Sequence, residues 1–333
     1  MRSKKNVETI KLKEGETLEQ AFNNYVEMAG AAVDWTMFCS YQLQPNFTEG
    51  IYKIIQLPSM QIAYTDMTGG VMFDFVAPEG CLNLSVMKNI SQKACIDEMK
   101  LDTGMIAVID DKKIYNFMCS DRVELLDISL NKNAHPQLRK KLRQAVDKYY
   151  QDDDQKIAHF IKGIINKFAD NKTMEPHTIK ELESKVTEKI ITLLNTQEAQ
   201  TPHFTKSEKI ALEIKQKLFK HMDGKMTIAS LAKKYTLSSK SLQNAFRSLF
   251  DLTPNQFSRL LKLNLVHHEL IQSTSSGTSV LKIARKWGFS HMGRFSKYYT
   301  ELFGENPSVT LKTEKPQIDG MQIHCVERRE EMS

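Results

Sequence analysis

The chain has 333 residues, enough for two or three domains at about 100–200 residues each. Its 41% hydrophobic and 26% charged residues exclude wholesale disorder. Basic residues outnumber acidic ones by 46 to 40, and the excess is local: residues 205–312 hold 18 Lys+Arg against 7 Asp+Glu, net +11, and the remainder is net −5. A basic C-terminal module on a mildly acidic remainder points to nucleic-acid binding in the former and sensing or assembly in the latter. The start, MRSKKNVETI, lacks the apolar run of a secretory signal, and no stretch approaches the ~18–20 apolar residues of a membrane span. The five cysteines, Cys39, Cys81, Cys95, Cys119 and Cys325, form no C-x-x-C pair. They read as buried or incidental thiols of a cytoplasmic protein rather than a disulfide framework or zinc site.

In chain order, residues 18–32 suit either a helix or a strand. Short apolar runs follow at 51–57, 60–66, 71–76, 82–87, 105–109 and 123–128, separated by turn signals such as Gly69-Gly70 and Pro78-Glu79-Gly80. Strands at this spacing predict a barrel or sandwich. Met67, Met72, Phe73, Phe75 and Met87 are candidates either for lining an apolar pocket or for plain core packing. From His135 the period becomes helical: Leu138, Leu142, Ala145, Val146 and Tyr149, then Ile157, Phe160, Ile161, Ile164, Ile165 and Phe168, then Ile179, Leu182, Val186, Ile190 and Leu194. Three amphipathic helices are expected, which either cover the sheet or supply a dimer interface. The polar stretch NTQEAQTP, ending at Pro202, marks a boundary.

The fold class is therefore α+β: a strand-rich, barrel-like N-terminal domain with flanking helices, then an all-α domain with two helix-turn-helix motifs. The expected divisions are residues 1–195 for a sensing or assembly domain, a linker at 196–204, a basic helical domain at 205–312 and a loose tail at 313–333.

The C-terminal expectation rests on an internal repeat. Leu231-Ala232-Lys233-Lys234-Tyr235 aligns with Ile283-Ala284-Arg285-Lys286-Trp287, and Leu242, Phe246, Leu249, Phe250 and Pro254 align with Phe295, Tyr299, Leu302, Phe303 and Pro307. Each copy reads as helix, tight turn, helix. Gly288 suits a left-handed turn residue, and Thr236 is a poorer choice at the equivalent place. The second helices start at Ser238 or Ser239 and at Ser290 or His291, where serine is a good N-cap. A helix from Pro254 to about Ile271 separates the copies.

These residues, with Leu252-Thr253-Pro254, Trp287-Gly288-Phe289-Ser290, Arg294-Phe295-Ser296-Lys297-Tyr298-Tyr299 and Phe303-Gly304-Glu305-Asn306-Pro307-Ser308, resemble the DNA-binding domain of AraC/XylS-family bacterial transcription regulators. The resemblance covers about a third of the chain. Thr236, Asp251, Gly293 and the polar insert 272–279 depart from the usual pattern. The resemblance implies base contacts from Lys240, Gln243, Asn244 and Arg247 in copy one. In copy two it implies Met292, Gly293, Arg294, Ser296 and Lys297. Gln and Asn can pair with adenine and Arg or Lys with guanine; the plain alternative is a solvated polar face. Phosphate contacts are expected from Lys233, Lys234, Ser238, Ser239, Arg285, Lys286 and Ser290. His267 and His268 are expected to be ordinary satisfied or exposed histidines.

The family also implies double-stranded DNA and RNA polymerase as partners, an activator role, a possible homodimer and a possible small effector in the N-terminal domain. An N-terminal domain that binds only a protein partner is the alternative. A DNA-binding domain appended to an enzyme is the remote one. The sequence has no P-loop and no G-x-S-x-G. His135, His159 and His177 are the histidines before residue 200, and none lies among the strands. No catalytic residue, cofactor or metal is therefore expected, nor any association with membranes.

Overall fold

The structure is a computed structural model that describes residues 11–23, 27–28, 31–45, 49–168, 173–220, 228–273 and 278–312. The N-terminal part consists of two antiparallel sheets. The larger runs in the order β1 (Thr17–Phe22), β3 (Glu49–Gln56), β4 (Met60–Thr68), β11 (Val123–Asn131), β6 (Cys81–Ile90), β9 (Met105–Asp110), β12 (Tyr149–Gln151). The smaller runs β2 (Thr36–Gln42), β5 (Val71–Val76), β10 (Tyr115–Cys119), β7 (Ala94–Ile96), β8 (Met99–Leu101). Two sheets packed face to face settle the expected choice in favour of a sandwich.

Side-chain alternation assigns each strand face. On β11, Leu126, Ile128 and Leu130 join a core with Leu84, Val86 and Val108, while Leu125 faces the other sheet. Three helices cover the first face: α1 (Pro136–Gln144), α2 (Lys156–Phe168) and α3 (Pro176–Thr196). Their stripes, including Leu138, Leu142, Ile161, Ile165, Val186 and Ile190, are buried in that core. The stripes expected as sheet cover or dimer surface therefore cover the sheet.

The smaller sheet is apolar on both faces. Phe73, Phe75 and Phe117 pack between the sheets, whereas Met72, Cys95 and Met118 pack outward with Ile214, Leu218, Phe219 and Leu265 of the C-terminal helices. The molecule is thus layered as helices, sheet, sheet, helices. The C-terminal helices are α4 (Lys206–Lys220), α5 (Ile228–Lys234), α6 (Ser239–Phe250), α7 (Pro254–Gln272), α8 (Val280–Lys286), α9 (Met292–Phe303) and α10 (Pro307–Lys312).

Polar groups fasten this contact. Asn264 on α7 accepts from the Gln42 backbone N–H at 2.7 Å and donates to its carbonyl at 2.8 Å, while Gln42 Nε2 donates to the Leu302 carbonyl at 2.6 Å. Glu208 on α4 pairs with Lys100 of β8 and accepts from Ser248 Oγ of α6 at 2.8 Å and from the Thr205 N–H at 2.9 Å. Burial alone would push its carboxyl up, but these hydrogen bonds outweigh burial and hold it down to about 2.

Several local expectations differ. Tyr149 belongs to β12, because the first helix stops at Gln144 and Asp147 turns the chain with φ 62° before β12 pairs with β9. Of residues 18–32, the first part is strand β1. Burial pushes the thiols of Cys81, Cys95 and Cys119 up, Cys119 to about 12, which disfavours the thiolate form in all three. The expected tail, 313–333, lies outside the described residues.

Candidate nucleic-acid interface

Both repeat copies close their first helix in the same way. In copy one the Leu237 N–H donates to the Ala232 carbonyl at 3.1 Å and the Thr236 N–H to the Lys233 carbonyl at 3.2 Å. In copy two Phe289 donates to Ala284 and Gly288 to Arg285, both at 3.0 Å. This paired arrangement needs a left-handed residue after the helix. Gly288 supplies it at φ 85°, and Thr236 takes it at φ 52° despite its branched side chain. The second helices end alike, on Asp251 at φ 55° and Gly304 at φ 72°. The repeat therefore imposes the same backbone where the residue types differ.

The starts of the second helices differ. Ser238 caps α6, its hydroxyl accepting from the Ser241 N–H at 3.0 Å. α9 starts after His291, which makes no side-chain cap bond, so Ser290 lies one residue before the cap. Each copy encloses its own aromatic core. Phe246, Phe250 and Phe257 pack edge-on or stacked in the first, and Phe295, Tyr299 and Phe303 pack as tilted rings in the second.

Helix α7 serves both copies. It opens with Pro254 and a capping box between Thr253 and Gln256. Phe257, Leu261 and Leu265 enter the first core, while Leu263, Val266 and Leu270 enter the second. His267 is satisfied within the protein: it bonds Tyr299 Oη at 2.6 Å and stacks on Phe303 at 4.0 Å. His268 is buried beside Tyr41, and burial lowers its pKa to about 4.

With these cores filled, the polar faces of α6 and α9 are left outside. Lys240, Gln243, Asn244 and Arg247 are exposed on α6, as are Gly293, Arg294 and Lys297 on α9. Met292 and Ser296 are half-buried, and Met292 packs against the second core. Lys297 approaches Glu301 at 3.8 Å, one turn along the same helix. A side chain built at Gly293 would meet nothing within 4 Å, so protein packing does not require glycine there.

The other cations and hydroxyls lie on the same module. Lys233, Lys234, Ser238, Ser239, Arg285 and Ser290 are exposed. Lys286 is engaged by Glu269 at 2.9 Å, a carboxylate that also accepts from the Trp287 indole at 2.7 Å. Lys282, exposed on the first turn of α8, is a further cation that the repeat did not single out, since its counterpart in copy one is Ser230.

Of the cavities formed by described residues, two lie between layers of the fold, away from this surface. One, of about 60 Å³, lies between the sheets against Trp35, Met67, Phe73, Phe75, Met87 and Asp127. Met72 does not share it, because it points to the opposite face of β5. The other, of about 720 Å³, opens between the smaller sheet and α4. Among the described residues no cluster of three or more His, Cys, Asp or Glu is placed to hold a metal ion. No described helix is long and apolar enough to cross a membrane.

Comparison with known proteins places the likeness in the same segment. A family described as "Helix-turn-helix domain" matches residues 231–313. The probable thc operon regulatory protein of Rhodococcus erythropolis is 31% identical over 93 residues, 28% of this chain and 28% of that protein. The XylDLEGF operon transcriptional activator of Pseudomonas putida is 30% identical over 115 residues, 34% of this chain and 36% of that protein. A crystal structure of a probable AraC family transcriptional regulator from Rhodopseudomonas palustris is 27% identical, covering 32% of this chain and 99% of that one with a TM-score of 0.30. The match thus spans about a third of these two curated relatives' length. The paired turns, the shared spacer helix and the matched segment agree: residues 231–313 carry a helix-turn-helix domain of the AraC/XylS type.

Proposed function

We propose that this chain is a sequence-specific DNA-binding transcription regulator whose residues 205–312 place α6 and α9 in consecutive major grooves. The carrying observation is that both recognition helices bury one face in separate cores and leave a polar, cationic face outside, in a module of net charge +11. α7 has 19 residues, about 28 Å at 1.5 Å each, close to the ~34 Å between successive major grooves on one DNA face. Lys240, Gln243, Asn244 and Arg247 read one box, and Gly293, Arg294 and Lys297 the other, with Met292 and Ser296 at its edge. Lys233, Lys234, Ser238, Ser239, Arg285, Lys286 and Ser290 hold phosphates.

Residues 1–195 control this activity as a sensing or dimerising domain, joined through 196–204. The shared core between the smaller sheet and the C-terminal helices supports such control, because a change in the sheet is felt directly by α4 and α7. The activator role follows the printed name of the Pseudomonas relative, and RNA polymerase is the partner proposed with that role. Fluorescence anisotropy on labelled duplex DNA tests the electrostatic part. Affinity falls at least about 1,000-fold between roughly 50 and 200 mM salt if six or more phosphates are engaged. A flat salt dependence contradicts it.

A further inference from the structure

Most of the circumference of α7 is covered by protein. Phe257, Leu261 and Leu265 face the first core and Leu263, Val266 and Leu270 the second, while Asn264 and His268 meet Gln42 and Tyr41 of the smaller sheet. One strip is left between the two cores, and it holds Asn255, Ser258, Arg259 and Lys262. About 3.6 residues per turn puts Arg259 and Lys262 roughly 120–180° around the helix from Asn264 and His268. The two cations therefore stand on the side of α7 away from the sheet.

Both are placed against the second copy. The Arg259 guanidinium carbon lies 4.2 Å from the ring centre of Tyr298. Tyr298 is one helical turn beyond Arg294, so it continues the stripe of α9 that carries Arg294. A guanidinium resting on a ring face keeps its N–H edge available to acceptors. Lys262 Nζ lies 3.3 Å from where a Cβ on Gly288 would stand, over the turn between α8 and α9. Among the described residues neither cation makes an ion pair. Glu269, the next acid along α7, is engaged by Lys286 and the Trp287 indole.

Between two successive major grooves on one face of a duplex lies the minor groove, with a phosphate strand on each side. With α6 and α9 in those major grooves, as the functional reading has them, the free strip of α7 is left over the minor groove. We propose that Arg259 enters this minor groove and Lys262 holds a flanking phosphate, so that base pairs no recognition helix touches contribute to operator choice. A narrow A·T minor groove concentrates negative potential and attracts arginine, whereas the guanine N2 amino group of a G·C pair projects into the groove. Arginine is more weakly hydrated than lysine and so loses less on entering a groove. The inference rests on the two-box reading and adds a third contact to it.

Fluorescence anisotropy of the full chain tests this on duplexes that carry two boxes selected from a random pool, with the base pairs between them A·T, G·C or inosine·cytosine. Inosine·cytosine has the major-groove edge of G·C without the minor-groove amino group. The parent chain should bind the A·T spacer about tenfold more tightly than the G·C spacer, and inosine·cytosine should recover most of that difference. Arg259→Ala should bind all three spacers alike and still prefer the selected boxes to scrambled ones, which shows that the variant is folded. Lys262→Ala should weaken binding to all three equally and lower the slope of log affinity against log salt by about one. The inosine comparison on the parent chain stands even where a variant fails to fold. Equal affinity for A·T and G·C spacers, inosine·cytosine behaving as G·C, a spacer preference retained by Arg259→Ala or an unchanged salt slope for Lys262→Ala overturns the assignment. Equal binding of selected and scrambled boxes by the parent chain is a different result, which overturns the two-box reading and the minor-groove contact with it.

Discussion

Asn264 and Gln42 stand 222 residues apart in sequence and exchange two hydrogen bonds, side chain to backbone, at 2.7 and 2.8 Å. The amide of Asn264 thereby continues the ladder at the end of β2, and it does so from the helix that separates α6 from α9. Truncating it removes one hydrogen bond from a buried N–H and one from a buried carbonyl. Each such group costs about 1–3 kcal/mol. Asn264→Ala is therefore expected to lower stability by about 2–4 kcal/mol in a denaturant titration. A loss below about 0.5 kcal/mol would show that the contact does not hold in solution.

Thr236 and Gly288 share one backbone shape with unequal ease. A left-handed conformation costs a side-chain-bearing residue about 1–2 kcal/mol, offset in part by the extra unfolded-state freedom of glycine. Thr236→Gly should stabilise the protein by about 0.5–1 kcal/mol. Gly288→Ala should destabilise it by about 1 kcal/mol or more, since its Cβ would also come within 3.3 Å of Lys262 Nζ. Opposite signs in urea melts check the shared turn; the same sign for both rules it out.

Gly293 separates folding from binding. Alanine there fills open space on a helix, so Gly293→Ala should add about 0.5–1 kcal/mol of stability. If α9 approaches bases closely at this point, the same methyl weakens DNA binding. Higher stability with lower affinity is the expected pair of results. Unchanged affinity would move the reading face of α9 away from Gly293.

His268 gives the protein an acid sensitivity. Its folded pKa is lowered to about 4 from an ordinary 6.5, chiefly by burial, against a backbone hydrogen bond at Ser40 that acts the other way. Below pH 6.5 the unfolded chain takes up a proton that the folded chain refuses until about pH 4. This contribution is therefore complete above pH 6.5 and is lost progressively as pH falls towards 4. His268→Phe should show a shallower fall in stability over that window than the parent chain. Identical slopes would mean that His268 is not buried as described.

Much of the C-terminal module was legible because a repeat counts the same evidence twice. Its helix ends, its cores and the equivalence of Thr236 with Gly288 follow from aligning Leu231-Ala232 with Ile283-Ala284. The type of residue at 236 alone would have argued against a left-handed turn. The N-terminal strands were legible where apolar runs exceed about five residues, as in β3 and β4. The three-residue strands β7, β8 and β12 carry too little pattern. Which face of the smaller sheet meets which layer was not legible either, because Met72 and Phe73 are equally apolar. The Asn264–Gln42 contact left no trace, since one partner is backbone. Nothing in the spacing of Lys215 distinguishes it from other lysines of an amphipathic helix, yet it is buried.

In the proposed function α6 and α9 read two adjacent boxes. Selection of bound duplexes from a random-sequence pool tests it most directly, using the full chain and the variants Lys240→Ala and Arg294→Ala. Two boxes about one helical turn (~10.5 base pairs) apart are expected, with Lys240→Ala relaxing one and Arg294→Ala relaxing the other. A single box, or both variants relaxing the same one, would contradict the account.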